Sequence, residues 1–491
     1  MHDTSLDAQH TTLTDCESER LHLSGKIQGF GALIVVRLSD WIITHASDNA
    51  DSFLGSGIDQ CLGTDVRTVG FWSLGWADRI PQTHGERSEL MDGPWVFTLI
   101  RSGDYLLIEC EPIGTVSPPI PIHQLHRGLI RPPNTPAELA AYQETLVQHL
   151  LAITGMNRVM VYRFRDDWSG EVIAEATDRP LGSYMGLRFP AGDIPAIARK
   201  LYEQNPIRTI PDVEGPEYVI RSLIAEAPDL SFSDLRSVSP MHQMYLRNMG
   251  VAASLSLPVL IGGQLWGLVV GHSYAGPCLL SHDQRHCAVL LANAYALGLA
   301  NYRAAESLRL VDSVDRRVHA ALQSMLQADH PFDALHTCAH ALQQLMEADA
   351  VAVAMEDRAA LAGEGLNLDA LADFDRWFVE EYEDYLLMSH RLTEFGVHSY
   401  AVATLFAGVL AVRAWSAQRG WLRFYWFRLS ESQQITWAGH PDKPREAASA
   451  ALSPRRSFEK WVEIRHGNSR EWTSAHRLSA LRVRAVAGRS L

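Results

Sequence analysis

Apolar and polar positions divide the chain into three stretches of different texture. Residues 20–113 hold short apolar runs, GALIVVRL, WIITHAS, WVFTLIR and DYLLIECEP, each bounded by turn residues. Their β-branched and aromatic content predicts strands joined by turns, with little helix, in a small α+β domain. Thr115–Pro136 then carries Pro118, Pro119, Pro121, Pro132, Pro133 and Pro136, too dense for regular helix, and marks a connector. The next stretch opens on PAELAAYQETLVQHLLAIT, where Leu139, Tyr142, Leu146, Leu150 and Leu151 share one helical stripe. Strands follow in VMVYRF and EVIAEA, then an irregular Pro-rich section, then SLSLPVLI and LWGLVVGHSY around Gly262-Gly263. This predicts a second α+β domain over about 126–300. Its long irregular section, Arg188–Asn248, is where chemistry is expected, because long loops in compact domains are usually functional.

From Ser281 to about Gln327 the chain is almost unbroken helix former, with no proline and Gly298 as its only glycine. Some 45 residues would make a rod of roughly 65–70 Å, a spine that leaves its own domain. Two helices with a hidden break are the plainer alternative. The third stretch, 328–491, adds the helices ALHTCAHALQQLME and LADFDRWFVEEYEDYLL, the strand WLRFYWFRL, and then WAGHPDKP and SPRRSFEKWVEI.

Composition narrows the function classes. The 491 residues contain 43 Lys and Arg against 57 Asp and Glu, a net charge of −14, so a phosphate-binding surface for nucleic acid is not expected. Hydrophobic residues at 47% and charged residues at 20% are those of a folded chain. Six scattered cysteines without a CxxC pair make neither a disulfide scaffold nor a zinc ribbon. The polar, acidic N-terminus has no signal-peptide core, and Ser399–Val412 is too short for a membrane span, so a cytoplasmic chain is expected.

Candidate chemistry gathers in a few places. Cys16 lies in a polar N-terminal arm, where an accessible thiol can act as a nucleophile or simply sit idle. In FPAGDIPAIARKLYEQNPIRTIPDV, Pro190 and Pro195 bracket Asp193 and delay any helix until Ala196. Such an Asp can aim its carboxylate and main-chain carbonyl at a guest, and it also suits a helix N-cap. Arg208 and Arg236 each suit bidentate capture of a carboxylate. His242 suits a hydrogen bond to a polar ring group or a proton relay, and Tyr162, Tyr202 and Tyr245 offer aromatic walls with a polar tip. The set fits a large, flat, apolar ligand that carries carboxylates. Taken singly, any of them is more ordinarily a surface arginine or a satisfied core histidine. His282 and His286 stand at i, i+4 with Cys287 adjacent, a zinc-like spacing, but no matching downstream ligand follows and no metal is expected. GxGxxG, P-loop and GxSxG motifs are absent.

At these residues the chain resembles a bacterial phytochrome photosensory core, a family that joins PAS, GAF and PHY domains around biliverdin. The Cys16 arm running into HLSGKIQGFGALIVV resembles the family's cysteine arm and IQPHGALL segment. FPAGDIPAIARKLY resembles FPASDIPAQARxLY, LRSVSPMHQMYLRNMGVAASLS resembles SPxHxxYLxNMGVxASxS, and LWGLVVGHSY resembles LWGLxxCHH. WAGHPDKP and LSPRRSFEKW resemble the WGGxPxKP and PRxSFxxW motifs of the PHY-domain tongue. The resemblance implies an N-terminal arm over 1–20, a PAS domain over 21–125, a GAF domain over 126–305 and a PHY domain over 306–491, with the tongue at about 425–470. The implied fold is α+β throughout, each domain a central antiparallel sheet with flanking helices, joined by the long helical spine.

The resemblance further implies site roles. Cys16 would form a thioether with the ring A vinyl group of biliverdin IXα. Arg208 and Arg236, helped by Ser254 and Ser256, would hold the propionates. The Asp193 carbonyl and His242 would hydrogen-bond the pyrrole nitrogens and their shared water, and His272 the ring D carbonyl. Tyr162, Phe189, Tyr202 and Tyr245 would pack near ring D. Asp193 would pair with Arg455, and Ser457 and Trp437 would belong to the same tongue coupling. Light would drive Z/E isomerisation at C15=C16, and the helix from Ser281 would relay the change to an unidentified output. The chain departs from the family pattern at Gly29-Phe30, Gly192, Gly271, Ser273, Ala438 and FRLS. After Ser457 no phosphoacceptor His box or ATP-binding glycine motif is seen, so no kinase is expected within these residues. A homodimer through the long helix is expected. Two other classes compete: a GAF-type sensor of haem or a cyclic nucleotide, which would not need Cys16, Asp193 and His242 together, and a tetrapyrrole enzyme, which would need an open metal site.

Overall fold

A computed structural model of the chain describes residues 20–54, 57–70, 72, 74–114, 127–328, 334–356, 358–396, 401–417, 420–440 and 458–490. Cys16, Arg455 and Ser457 lie outside the described residues. The chain forms two compact units, Met1–Tyr302 with Thr436–Trp461, and Arg303–Ile435 with Val462–Leu491.

The first unit begins with β1 (Lys26–Gln28), β2 (Ala32–Arg37), β3 (Ile42–Ser47), β4 (Arg87–Asp92), β5 (Trp95–Ser102) and β6 (Tyr105–Pro112). Then come α1 (Pro136–Thr154), β7 (Arg158–Phe164), β8 (Gly170–Thr177), β9 (Arg188–Phe189), α2 (Ala196–Gln204), β10 (Arg208–Ile210), β11 (Glu217–Ser222), α3 (Pro240–Asn248), β12 (Ala253–Ile261), β13 (Gln264–Ser273) and the start of α4 (His282–Gln327). The first sheet runs β1-β11-β3-β2-β6-β5-β4. Its second strand, β11, comes from the middle of the next sequence region, so the two regions share a sheet. Nothing in the spacing of Glu217–Ser222 announced that crossing, because strand pairing between distant segments leaves no local periodicity. β1 is held on both edges. Lys26–Gln28 pairs antiparallel with Glu217–Val219, while Gln28 donates its amide N–H to the Leu235 carbonyl at 2.7 Å and Ser237 donates to Lys26 at 3.1 Å.

The second sheet contains the run β10-β12-β13-β7-β8-β9 and has two unlike faces. Leu255, Leu257, Val259, Val159, Val161 and Val269 face the apolar stripes of α1 and α4, where Leu146, Leu150, Leu291 and Tyr295 complete a core. Their neighbours one residue along point to the opposite face, because strand side chains alternate with a period of two. α1 is capped by Thr135, whose hydroxyl accepts from Glu138 N–H, and ends on Gly155 in the left-handed region at φ 64°.

The second unit adds α5 (Leu335–Met346), β14 (Ala350–Met355), β15 (Arg358–Gly363), α6 (Leu368–Glu380), β16 (Leu386–Ser389), β17 (Gly408–Ser416) and β18 (Gly420–Arg428); β19 (Glu431–Ala438) and β20 (Lys460–Asn468) follow, which continue the second sheet beyond β9, and the unit ends with α7 (Ser474–Ser490). Its sheet runs β15-β14-β18-β17-β16. Val351, Val353, Leu422, Phe424 and Trp426 pack with α5, α7 and Val318 and Leu322 of α4. Ala350, Ala352, Tyr425 and Phe427 pack with Phe374 and Phe378 of α6 on the other face. The long helix is continuous over 46 residues, without the break that the two-helix alternative needed. Among the described residues no helix is long and apolar enough to cross a membrane.

Trp426 is fully buried and its indole N–H donates to the Leu342 carbonyl at 3.0 Å. Trp426→Ala should destabilise the second unit by about 3–5 kcal/mol, read as an earlier urea transition in circular dichroism. A loss under about 1 kcal/mol would mean that this sheet face is not the core of the unit.

Candidate functional site

The face of the second sheet turned away from α1 and α4 forms the floor of a cavity of about 370 Å³. Registered pairs set the floor in rows: Arg208 opposite Ser256, Ser256 opposite Val270, and Val270 opposite Met160. In the row to one side Ser254 lies opposite His272, and in the row to the other Leu268 lies opposite Tyr162. Two glycines make room for Tyr162. A Cβ at Gly170 would fall 1.6 Å from Tyr162 Cζ, and one at Gly267 would fall 2.4 Å from its carbonyl oxygen. The walls are α2 and its C-cap, which contribute Leu201, Tyr202 and Asn205, and α3 and its C-cap, which contribute His242, Tyr245 and Met249. Phe189 to Pro195 form the rim. There Ala191–Asp193 is a single 3-10 turn, and α2 starts at Ala196 after Pro195, so Asp193 is not its N-cap. The Asp193 carboxylate accepts a hydrogen bond from Tyr245 at 3.1 Å, and the His242 ring lies stacked against Tyr245 at 6.2 Å between centroids.

The cavity is short of negative charge. Arg208 donates to the carbonyls of Arg236 at 2.7 Å and Ser237 at 2.9 Å. Burial, with Arg236 nearby, pushes Arg208 down to about 9. Arg236 is itself buried, burial lowers its pKa, and its Nη1 has no hydrogen-bond partner among the described residues. Asp234, whose charge is felt by both arginines, is already held by Arg87 at 3.0 Å and by Asn205 at 3.2 Å. Two cations in a low-dielectric wall favour an anion between them. The histidines stay neutral. Burial and then Arg208 push His242 down to about 4, and burial, Arg158 and His242 push His272 down to about 3. The Nδ1 of His272 is buried without a partner among the described residues.

The cavity floor also meets the segment from Thr436 to Trp461. Trp437 pairs parallel with Arg188, and Gly439 donates to the Glu459 carbonyl at 2.8 Å. Ala438 is buried among Tyr162, Phe189 and Leu268, with Phe458 packed against the same cluster. Phe458 stands edge-on to Tyr245 at 5.2 Å.

The ligand-binding candidates that the sequence offered, Asp193, Arg208, Arg236, His242, Ser254, Ser256, His272, Tyr162, Phe189, Tyr202 and Tyr245, all line this one cavity. Leu21, Met160, Met249, Leu268 and Val270 line it too and were not singled out. The period-two signal carries three of them: Met160 with Tyr162, and Leu268 and Val270 with His272. Gly192 lines the cavity with open space where a Cβ would stand. Gly29 is confined, since a Cβ there would meet Pro216 at 2.8 Å. His282 and His286 do not line the cavity, and Cys287 is buried in the core beneath α4.

Three family models match the sequence: a PAS fold over residues 16–113, a GAF domain over 138–300 and the phytochrome region, PHY, over 315–489. With the cavity they define the class, a three-domain PAS-GAF-PHY photosensory core. The chain is 33% identical to the bacteriophytochrome of Pseudomonas aeruginosa, across 96% of its own length and 66% of that protein. It is 30% identical to the bacteriophytochrome of Xanthomonas campestris, across 96% and 77%. It thus spans about two thirds to three quarters of the length of these relatives. The crystal structure of bacteriophytochrome RpBphP3 from R. palustris superposes with a TM-score of 0.82 at 28% identity, covering 96% of this chain and 98% of that one. The chain belongs to the phytochrome family of photoreceptors.

The neutral histidines set a pH dependence. Both pKa values are lowered from 6.5, so below about pH 6.5 the unfolded chain takes up protons that the folded chain refuses. Stability of the ligand-free chain should therefore fall as pH drops from about 6.5 towards about 4. His272→Gln should flatten part of that slope, measured as the urea midpoint against pH. An unchanged slope would mean that His272 is not held neutral.

Proposed function

We propose that this chain binds biliverdin in the cavity and uses it as a red and far-red light sensor. The observation that carries the proposal is the pair of guanidiniums, Arg236 buried and Arg208 half-buried, without a carboxylate hydrogen-bond partner among the described residues. They face a cavity lined mainly by apolar and aromatic side chains, with Ser254, Ser256 and His272 among them, which suits a flat apolar ligand with two propionates. When bound, the tetrapyrrole supplies light absorption and Z/E isomerisation at C15=C16.

The residues of the chain then have definite tasks. Arg208 and Arg236, with Ser254 and Ser256, neutralise and orient the propionates. The Asp193 main-chain carbonyl and His242 accept from pyrrole N–H groups. The Asp193 carboxylate stabilises positive charge on the ring system. His272, with its proton on the unpartnered Nδ1, donates to the ring D carbonyl. Tyr162, Phe189, Tyr202 and Tyr245 wall ring D and are displaced when it rotates. Trp437 and the family's Arg455 and Ser457 positions couple that displacement to the tongue. Cys16 Sγ adds across the ring A vinyl double bond, forming one C–S bond while the thiol proton goes to carbon. Leu21 supports this role, because it lines the cavity five residues from Cys16, a span of at most about 18 Å.

Mixing the chain with biliverdin should give a red-region and a far-red band that light interconverts reversibly. Arg236→Ala should weaken binding about 10–100-fold. Cys16→Ser should still bind, but release the pigment on acid denaturation. No band at all, or equal affinity in Arg236→Ala, would sink the proposal.

Pairing of two copies through α4 is supported by Leu290, Leu297, Leu308 and Val311, exposed by 45%, 65%, 69% and 49%. Leu297→Glu should convert a dimer to a monomer in light scattering. A wild-type chain that is already monomeric would remove this part of the proposal.

A further inference from the structure

We propose that Glu89, His282 and His286 form a binding site for one first-row divalent cation, Zn²⁺ foremost, where α4 begins against β4. This site is separate from the bilin cavity and does not rest on the function proposed for it. His282 and His286 are one turn apart on α4, so both imidazoles leave the same face, with ring centroids 4.5 Å apart. Glu89, on β4, sets one carboxylate oxygen against each ring: His282 Nε2 to Oε2 at 2.7 Å and His286 Nε2 to Oε1 at 2.9 Å. The ligand atoms of the three residues lie within 4.8 Å of one another. Zn²⁺ at about 2.0–2.2 Å from each ligand needs donor atoms about 3.3–3.5 Å apart, which small side-chain rotations provide.

The donor set decides the class of ion. Two imidazole nitrogens and one carboxylate oxygen are the three protein ligands of an open tetrahedral zinc site, and imidazole favours zinc, copper and nickel over magnesium or calcium. Access is available, with side-chain exposure of 17% for His282, 32% for Glu89 and 59% for His286. The fourth position would face solvent. Local charge is permissive: Arg285, between the two histidines in sequence, is taken by Glu111 at 2.6 Å in a buried pair, which leaves Glu89 to balance the ion. Coordination takes the Nε2 lone pair, so each ligating imidazole carries its proton on Nδ1. On His282 this gives up a long contact from Arg285 at 3.5 Å. The bound ion would cross-link the edge strand of the first sheet to the first turns of the long helix.

The sequence expectation of no metal rested on the missing downstream ligand. The third donor instead lies 193 residues upstream of His282, on a strand that folding brings to the helix. The test uses the full 491-residue chain, stripped with chelator and without bilin, titrated with ZnCl₂ by calorimetry and with CoCl₂ by visible spectroscopy. One ion per chain with micromolar or tighter affinity is expected, and Co²⁺ should show the ligand-field bands of a tetrahedral nitrogen–oxygen site. His286→Ala and Glu89→Gln should each weaken binding at least about tenfold, with near-ultraviolet circular dichroism unchanged. His340→Ala, remote in sequence from the site, should bind as the parent does. Absence of binding, or binding that survives both His286→Ala and Glu89→Gln, would overturn the proposal.

Discussion

Two cations stand in one cavity wall, Arg236 buried and Arg208 half-buried, and the chain spends its own polar groups holding them there rather than neutralising them. Arg208 is fixed by the main-chain carbonyls of Arg236 and Ser237, and Asp234, an acid within electrostatic reach of both, is committed to Arg87 and Asn205. A buried charge without its counter-ion costs several kcal/mol, so such an arrangement persists only where surrounding structure over-determines it. Here that structure is the second sheet, which places Arg208 in register with Ser256, and the loop that carries Arg236, pinned beside β1. The wall is preorganised for carboxylates. Burial keeps His242 neutral, and Arg208 adds to the effect.

The loop is pinned by an unusual route through the chain. Gln28 donates its side-chain N–H to the carbonyls of Thr209 and Arg236, both at 3.1 Å. One glutamine in the first strand thus ties the strand that bears Arg208 to the loop that bears Arg236. A change at Gln28 would loosen both cations at once, although Gln28 does not line the cavity. This explains physically why the first sequence region, with no cavity floor of its own, belongs in the same compact unit as the site.

How much of this was legible beforehand depended on whether the signal was local. Period-two alternation in SLSLPVLI and LWGLVVGHSY announces two unlike sheet faces, and the Pro190–Pro195 bracket announces a rim without helix. Both are properties of short windows. The recruitment of β11 into the first sheet, the tie through Gln28, and the meeting of Glu89 with His282 and His286 depend on segments far apart in sequence. No window contains them. Motif resemblance reached the cavity residues because those motifs record a fold already assembled. It could not do so for Glu89, which belongs to none of the motifs. Ala438 shows the intermediate case: its departure from the tongue pattern was visible, but its burial against Tyr162 and Phe189 was not.

The two faces of the second sheet also suggest how a change in the cavity can be felt elsewhere. β13 carries Leu268, Val270 and His272 to the cavity and Val269 to the core shared with α4. A rearrangement on one face therefore acts on strands whose other face is packed against the helix. Ala438 and Phe458 touch the cavity cluster directly, so the same event reaches the Thr436–Trp461 segment without passing through the sheet. Packed interiors respond by switching between discrete arrangements rather than by bending continuously. A ligand whose shape changes in place, against Tyr245 on one side and the β13 strand on the other, would bias both elements together, and neither response requires it to leave the cavity.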